Sequence, residues 1–103
     1  MYKVDWTVTA ELTYNKEIDF ILMKWSFNEA QKFIDLVDDV VKTLGLGTIT
    51  GKVSKIDNVY IVVFSEQTSL AYKVFEDKSK IELLTFWNNQ FDPEVYKEFI
   101  DTA

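Results

Sequence analysis

Few side chains in this sequence could move a proton or steady a developing negative charge. Tyr72 and Lys73 stand side by side, and Lys52 and Lys55 precede them. An ammonium group works as a base only where burial or a second cation lowers its pKa. The plainer reading makes Lys73 a solvent-facing strand residue and Tyr72 part of the core, so no catalytic role is assigned. All 11 basic residues are lysine, and the chain has neither histidine nor arginine. It therefore lacks the commonest general acid–base group. It also lacks the planar donor fork that grips phosphate with two parallel bonds.

Two other clusters have side-chain types suited to a site. Asp35, Asp38 and Asp39 share a predicted helix, and carboxylate oxygens suit hard cations. No matching loop supplies a further ligand, so a solvated helix face explains them better, and neither a metal site nor a cofactor is expected. Trp87, Asn88, Asn89 and Gln90 end a predicted strand. Tryptophan anchors many protein interfaces, so these four residues are the candidate partner-binding patch. The alternative is that Trp87 lies beneath the sheet edge while the asparagines turn the chain.

The chain has 103 residues, the size of one domain. Nearly half are hydrophobic and 16% are aromatic, which excludes a disordered class. No cysteine is present, so disulfides and thiolate metal sites are excluded. The sequence contains no apolar run near the roughly 20 residues that span a bilayer, and its start lacks the regions of a signal peptide. A cytoplasmic protein away from the membrane is expected. The net charge of -6 opposes direct binding to nucleic acid, which rests on neutralising phosphates.

The elements follow from periodicity. Tyr2, Val4 and Trp6 alternate with Lys3 and Asp5, the pattern of a half-buried strand. Thr7 offers a helix cap. Ala10, Tyr14, Ile18, Ile21, Leu22 and Trp25 then step by threes and fours, with Glu11, Asn15, Lys16, Glu17 and Asp19 largely opposite. Ser26 and Glu29 form a capping box that starts a second helix. Its apolar face is Ala30, Phe33, Ile34, Val37, Val41 and Leu44, and Gly45 is a natural left-handed cap. The short join predicts a tight helical hairpin. Strands are predicted over 52–56, 59–64, 70–75 and 81–87, with turns at Asp57-Asn58 and Asp77-Lys78-Ser79. A last helix is predicted over 94–102, capped by Asp92, with Pro93 at its first position. The order indicates an α+β fold, with an N-terminal strand and a helical hairpin on one face of a three- to five-stranded antiparallel sheet. Trp6, Phe20, Phe27, Phe64, Phe91, Tyr96 and Phe99 exceed the needs of one small core. A partner groove, a homodimer interface or a final helix folding back would use that surplus.

This order resembles the RelE/ParE toxin superfamily of bacterial toxin–antitoxin modules, and its plasmid-stabilisation, ParE-like branch most. Tyr2 to Thr7 is similar to that family's opening strand and cap. Ala10 to Trp25 is similar to its first helix, ending in Lys24-Trp25-Ser26, with Glu29-Ala30 and Phe33 after it. Gln67 to Leu70 with Tyr72-Lys73-Val74 resembles the loop and central strand, and Ile81 to Pro93 the closing strand. The likeness spans residues 2–93, within one domain over 1–103. The family often has Tyr-Arg where this chain has Tyr72-Lys73, and an arginine where it has Gln90-Phe91.

The resemblance implies a toxin that binds a protein target of the DNA gyrase type and is neutralised by a cognate antitoxin. That reading makes the chain a binding protein and not an enzyme. The alternative it implies is a RelE-like, ribosome-dependent messenger RNA endoribonuclease using Lys73 and nearby groups, since cutting RNA through its 2′-hydroxyl needs a base, an acid and cations. A third reading is a non-toxic relative that keeps the scaffold as a binding module.

Overall fold

A computed structural model of the chain describes residues 1–64, 68–90 and 93–99. The chain forms strand β1 (Lys3–Trp6), helices α1 (Val8–Lys24) and α2 (Phe27–Gly45), and strands β2 (Lys52–Val53), β3 (Val59–Val63) and β4 (Thr68–Phe75). A 3-10 turn at Glu76–Lys78, strand β5 (Lys80–Asn88) and helix α3 (Pro93–Phe99) follow. The sheet order is β1-β5-β4-β3-β2. The hairpin-linked strands are antiparallel. Strand β1 joins β5 in parallel, after the chain has passed through the helical hairpin to the far edge of the sheet and returned through β2, β3 and β4. No helix among the described residues is long and apolar enough to cross a membrane.

Both long helices start where side-chain caps are available. The Thr7 hydroxyl accepts the Ala10 amide at 3.0 Å, and the Ser26 hydroxyl accepts the Glu29 amide at 3.2 Å. The Glu29 carboxylate is engaged by Lys32 Nζ, also at 3.2 Å. Helix α2 buries Ala30, Phe33, Val37 and Leu44, the stripe its periodicity predicts. Gly45 is the last helical residue and does not leave the helix left-handed. That conformation falls to Gly47, at φ 93°, beside the Tyr2 ring.

The main core lies between the helices and the sheet. It joins Ala10, Ile21, Phe33, Val37 and Leu44 to Leu70, Tyr72, Ile81, Leu83 and Phe86. Phe86 is its aromatic centre, with ring centres of Trp6, Tyr14, Phe33 and Phe64 within 5.3–6.2 Å. Fully burying a ring of this size contributes roughly 1.5–3 kcal/mol. Trp6 and Phe64 are thereby absorbed into the core. Phe27 stays exposed, and Leu22 and Trp25, expected inside, are exposed as well. The reason is that α1 outlasts the sheet beneath it at the hairpin tip. A smaller cluster covers the opposite sheet face, where Val59, Ile61, Ala71 and Trp87 meet Leu84, Val95 and Phe99.

The first expected strand of the sheet run is shorter than its pattern. Only Lys52 and Val53 pair, and Val53 and Ile56 are exposed. Strand β4 begins earlier than expected, at Thr68, so Thr68 and Ser69 are buried strand residues. In β5, Tyr72 pairs with Leu83 but Ala71 pairs with Thr85, which leaves Leu84 as the extra residue of a bulge. The bulge shifts the alternation of all that follows. Phe86 and Asn88 turn to the helices, and Trp87 turns to the other face. The loop at 65–67, the cap expected at Asp92, Phe91, and the helix beyond residue 99 lie outside the described residues, as does the Tyr96 side chain.

Gly51 holds the entry to β2 at φ 100°, and a Cβ there would sit 2.3 Å from the Ile61 carbonyl oxygen. Gly51→Ala is expected to cost at least ~2 kcal/mol, because strain at positive φ adds to a clash with backbone. Urea denaturation of the two proteins measures the loss.

Candidate functional site

The far end of β5 gathers most of the polar groups that the fold brings together. Strand β1 pairs with β5 only as far as Leu83, leaving the second half of β5 with an open edge. Side chains of α1 close it. The Thr7 hydroxyl donates to the carbonyls of Leu83 at 2.7 Å and Leu84 at 3.0 Å. The Thr13 hydroxyl accepts the Phe86 amide at 2.9 Å. Glu17, only 6% exposed, accepts the Asn88 side-chain amide at 3.3 Å. Glu17 was expected on the solvated side of α1, yet Ala10, Thr13, Glu17 and Ile21 step by threes and fours along one face. That spacing was the available signal. The buried carboxylate is tolerated because an amide meets it.

The structure divides the patch at 87–90 between two faces. Asn88 is buried toward α1, and its side-chain oxygen accepts the Gln90 amide at 2.9 Å, which turns the chain. Asn89 exchanges hydrogen bonds with Ser69 on β4, at 3.0 and 3.2 Å. Gln90 is exposed. Trp87 is 4% exposed and stacks on Phe99 of α3, with ring centres 5.5 Å apart and planes at 16°. Its indole N–H has no hydrogen-bond partner among the described residues. A groove of about 330 Å³ opens beside this end, lined by Thr13, Lys16, Glu17, Phe20, Phe86, Trp87 and Asn88. Its rings and mixed polar rim suit a protein side chain better than an ion.

Tyr72 and Lys73 do not act together. Neighbours on a strand point to opposite faces, and Tyr72 is fully buried toward the helices. Its hydroxyl donates to the Thr50 carbonyl and accepts the Thr50 amide at 3.1 Å, pinning the loop before β2. Tyr60 stacks on it at 5.6 Å. Burial pushes the Tyr72 phenol up to about 12, with Tyr60 adding to the rise and the Thr50 hydrogen bond opposing it. A phenol so held stays protonated at neutral pH and serves structure.

Lys73 faces the opposite side, over the Phe75 ring at 5.1 Å. Lys52 pairs across from Ile61 and so shares that face, but it is exposed. Lys55 is also exposed, and its backbone amide holds the Phe99 carbonyl at 2.7 Å. These four residues thus form no proton-relay geometry. Asp35, Asp38 and Asp39 lie on the solvated face of α2, and Asp35 accepts the Gln31 amide at 3.0 Å.

No protein-family model matches the chain, and no curated protein does. Solved structures do. The toxin–antitoxin protein of the chromosomal ParDE system from P. aeruginosa aligns with a TM-score of 0.67 at 19% identity, covering 85% of this chain and 96% of that one. A copper-bound mutant toxin from Helicobacter pylori aligns at 0.61 and 15% identity, over 87% and 97% of the two chains. The isolated E. coli RelE toxin aligns at 0.57 and 15% identity, over 95% and 99%. The chain thus has the fold of the RelE/ParE toxins, across nearly the full length of each relative.

Two measurements test the roles given to Thr13 and Tyr72. Thr13→Val keeps the shape but leaves the Phe86 amide unpaired, with an expected loss of ~1–3 kcal/mol in urea unfolding, while Thr13→Ser retains most of the stability. For Tyr72, the folded protein holds the phenol proton between pH 10 and about 12, where the unfolded chain has lost it. Its contribution is complete below pH 10 and falls as pH rises through that window. The stability gap between wild type and Tyr72→Phe should therefore narrow from pH 10 to 12. The upward shift of Tyr14, caused by burial and by Asp38, is common to both proteins and cancels.

Proposed function

We propose that this chain is the toxin of a toxin–antitoxin module, of the ParE type, which binds a protein target of the gyrase kind and is neutralised by a cognate antitoxin. The observation that carries the proposal is the fold shared with ParE and RelE toxins over almost the whole chain. Binding is favoured over catalysis by the placement of the candidate groups. Tyr72 is locked into the core and Lys73 faces away from it. The chain has no histidine or arginine to supply what they do not.

The likeness to RelE keeps messenger cleavage as the second reading, with Lys73 as its cation. One induction experiment addresses both. Expression of the chain alone in bacteria is expected to arrest growth, co-expression of the adjacent small gene to restore it, and cellular messages to remain uncut. Messages cleaved in wild type but intact with Lys73→Ala would establish the RelE-type reading instead. Undisturbed growth would remove the toxin proposal and leave a non-toxic binding module on the same scaffold.

A further inference from the structure

Helix α1 carries two stripes. Ala10, Thr13, Glu17 and Ile21 face the sheet. A second stripe runs along the side turned away from it. There Leu12, Lys16, Asp19 and Met23 step by four, three and four, the spacing of a seam between two helices. All four residues are exposed, Leu12 at 66% and Met23 at 83%. Val8 and Leu22, also exposed, border the stripe on one side. Lys16 and Asp19 have opposite charges one turn apart on this face. Neither takes part in an ion pair among the described residues.

The stripe is complementary to its own reverse. A two-fold axis between residues 17 and 18 sets Leu12 of one copy opposite Met23 of the other, and Lys16 opposite Asp19. The same two contacts recur on the other side of the axis. We infer that two copies of the chain pair through α1 in this antiparallel arrangement. The self-complementarity favours a second copy over an unrelated partner, which would need no such symmetry. It also specifies the register. An axis through Lys16 or through Asp19, or a parallel pairing, would set like charges against each other. Each copy carries -6, but repulsion between distant charges is screened beyond about 8 Å at physiological salt. The seam itself is neutral as a whole, because its lysines and aspartates are equal in number. Leu12 to Met23 spans roughly 16–17 Å of helix. Such a contact is smaller than a standard interface, so the dimer is weak and forms at high protein concentration.

The inference concerns the chain with itself and does not rest on the toxin reading. Sedimentation equilibrium of the full chain from ~20 μM to ~1 mM, at ~0.15 M salt, tests it. A reversible monomer–dimer equilibrium is expected for the wild type. Lys16→Glu and Asp19→Lys each set like charges across the axis twice, and each should weaken the dimer by roughly tenfold or more. An equimolar mixture of these two variants should regain the wild-type affinity, since both cross pairs of the mixed dimer are again opposite in sign. Leu12→Glu should also prevent pairing, with an unchanged far-ultraviolet circular dichroism spectrum because the side chain is exposed. A wild type that stays monomeric at ~1 mM would overturn the interface. Single variants that dimerise like wild type, or a mixture that remains monomeric, would overturn the pairing of Lys16 with Asp19. A monomeric wild type whose Lys16→Glu variant escapes rescue by the adjacent small gene would assign the stripe to that gene's product instead. Growth arrest by a chain that never dimerises would remove this interface alone and leave the toxin proposal standing.

Discussion

The architecture depends on how the open edge of β5 is closed. A four-residue strand cannot cover a nine-residue neighbour, and unpaired backbone groups beside a core are costly. Helix α1 solves this with side chains and no additional strand. Thr7, Thr13 and Glu17 meet Leu83, Leu84, Phe86 and Asn88 in order along the strand. The same contacts fix where α1 sits on the sheet, and so where the hairpin with α2 lies. Thr7 does double duty, since it also caps the helix that carries the other two.

The two sheet faces have distinct characters as a result. The helical face is a dense aromatic core around Phe86, with Tyr72 tying the Gly51 loop to it from below. The other face is apolar at one end, under α3, and charged at the other, around Phe75. Trp87 marks the covered end. Its ring is well packed while its N–H meets no partner among the described residues, so burial of its area is the larger contribution there. That balance is consistent with a face held by apolar contact more than by polar complementarity.

How legible this was in the sequence varied with the strength of each local signal. Helix α2 was readable almost residue by residue, because its apolar stripe is clean and Ser26 announces its start. The sheet run was readable in order and number, since Asn58 and Ser79 adopt the positive φ that turns between strands require. Helix α1 was readable in extent but not in orientation. It is apolar on several sides, with Val8, Leu12 and Met23 exposed, so the face that buries is set by tertiary hydrogen bonds. Val53 and Ile56 promised more strand than forms, because only the neighbouring strand could show that β2 has one short partner. At the site, the residue types at 87–90 stood out, but their division between faces did not. Lys78 and Lys80 gather at Phe75 only through a turn and a cross-strand pair, neither of which periodicity reveals.

The bulge at Leu84 gives β5 two reading frames. Residues before it are assigned in or out by pairing with β1, and residues after it by contact with α1 and α3. A strand of uniform alternation would oblige one set of outward residues to satisfy both ends of the sheet face at once. Here the phase break separates them, so the charged corner at the Lys80–Glu82 ion pair and the covered end at Trp87 are independent in geometry although they share one strand. Two surfaces of different chemistry can therefore sit less than ten residues apart, each free to suit a different contact.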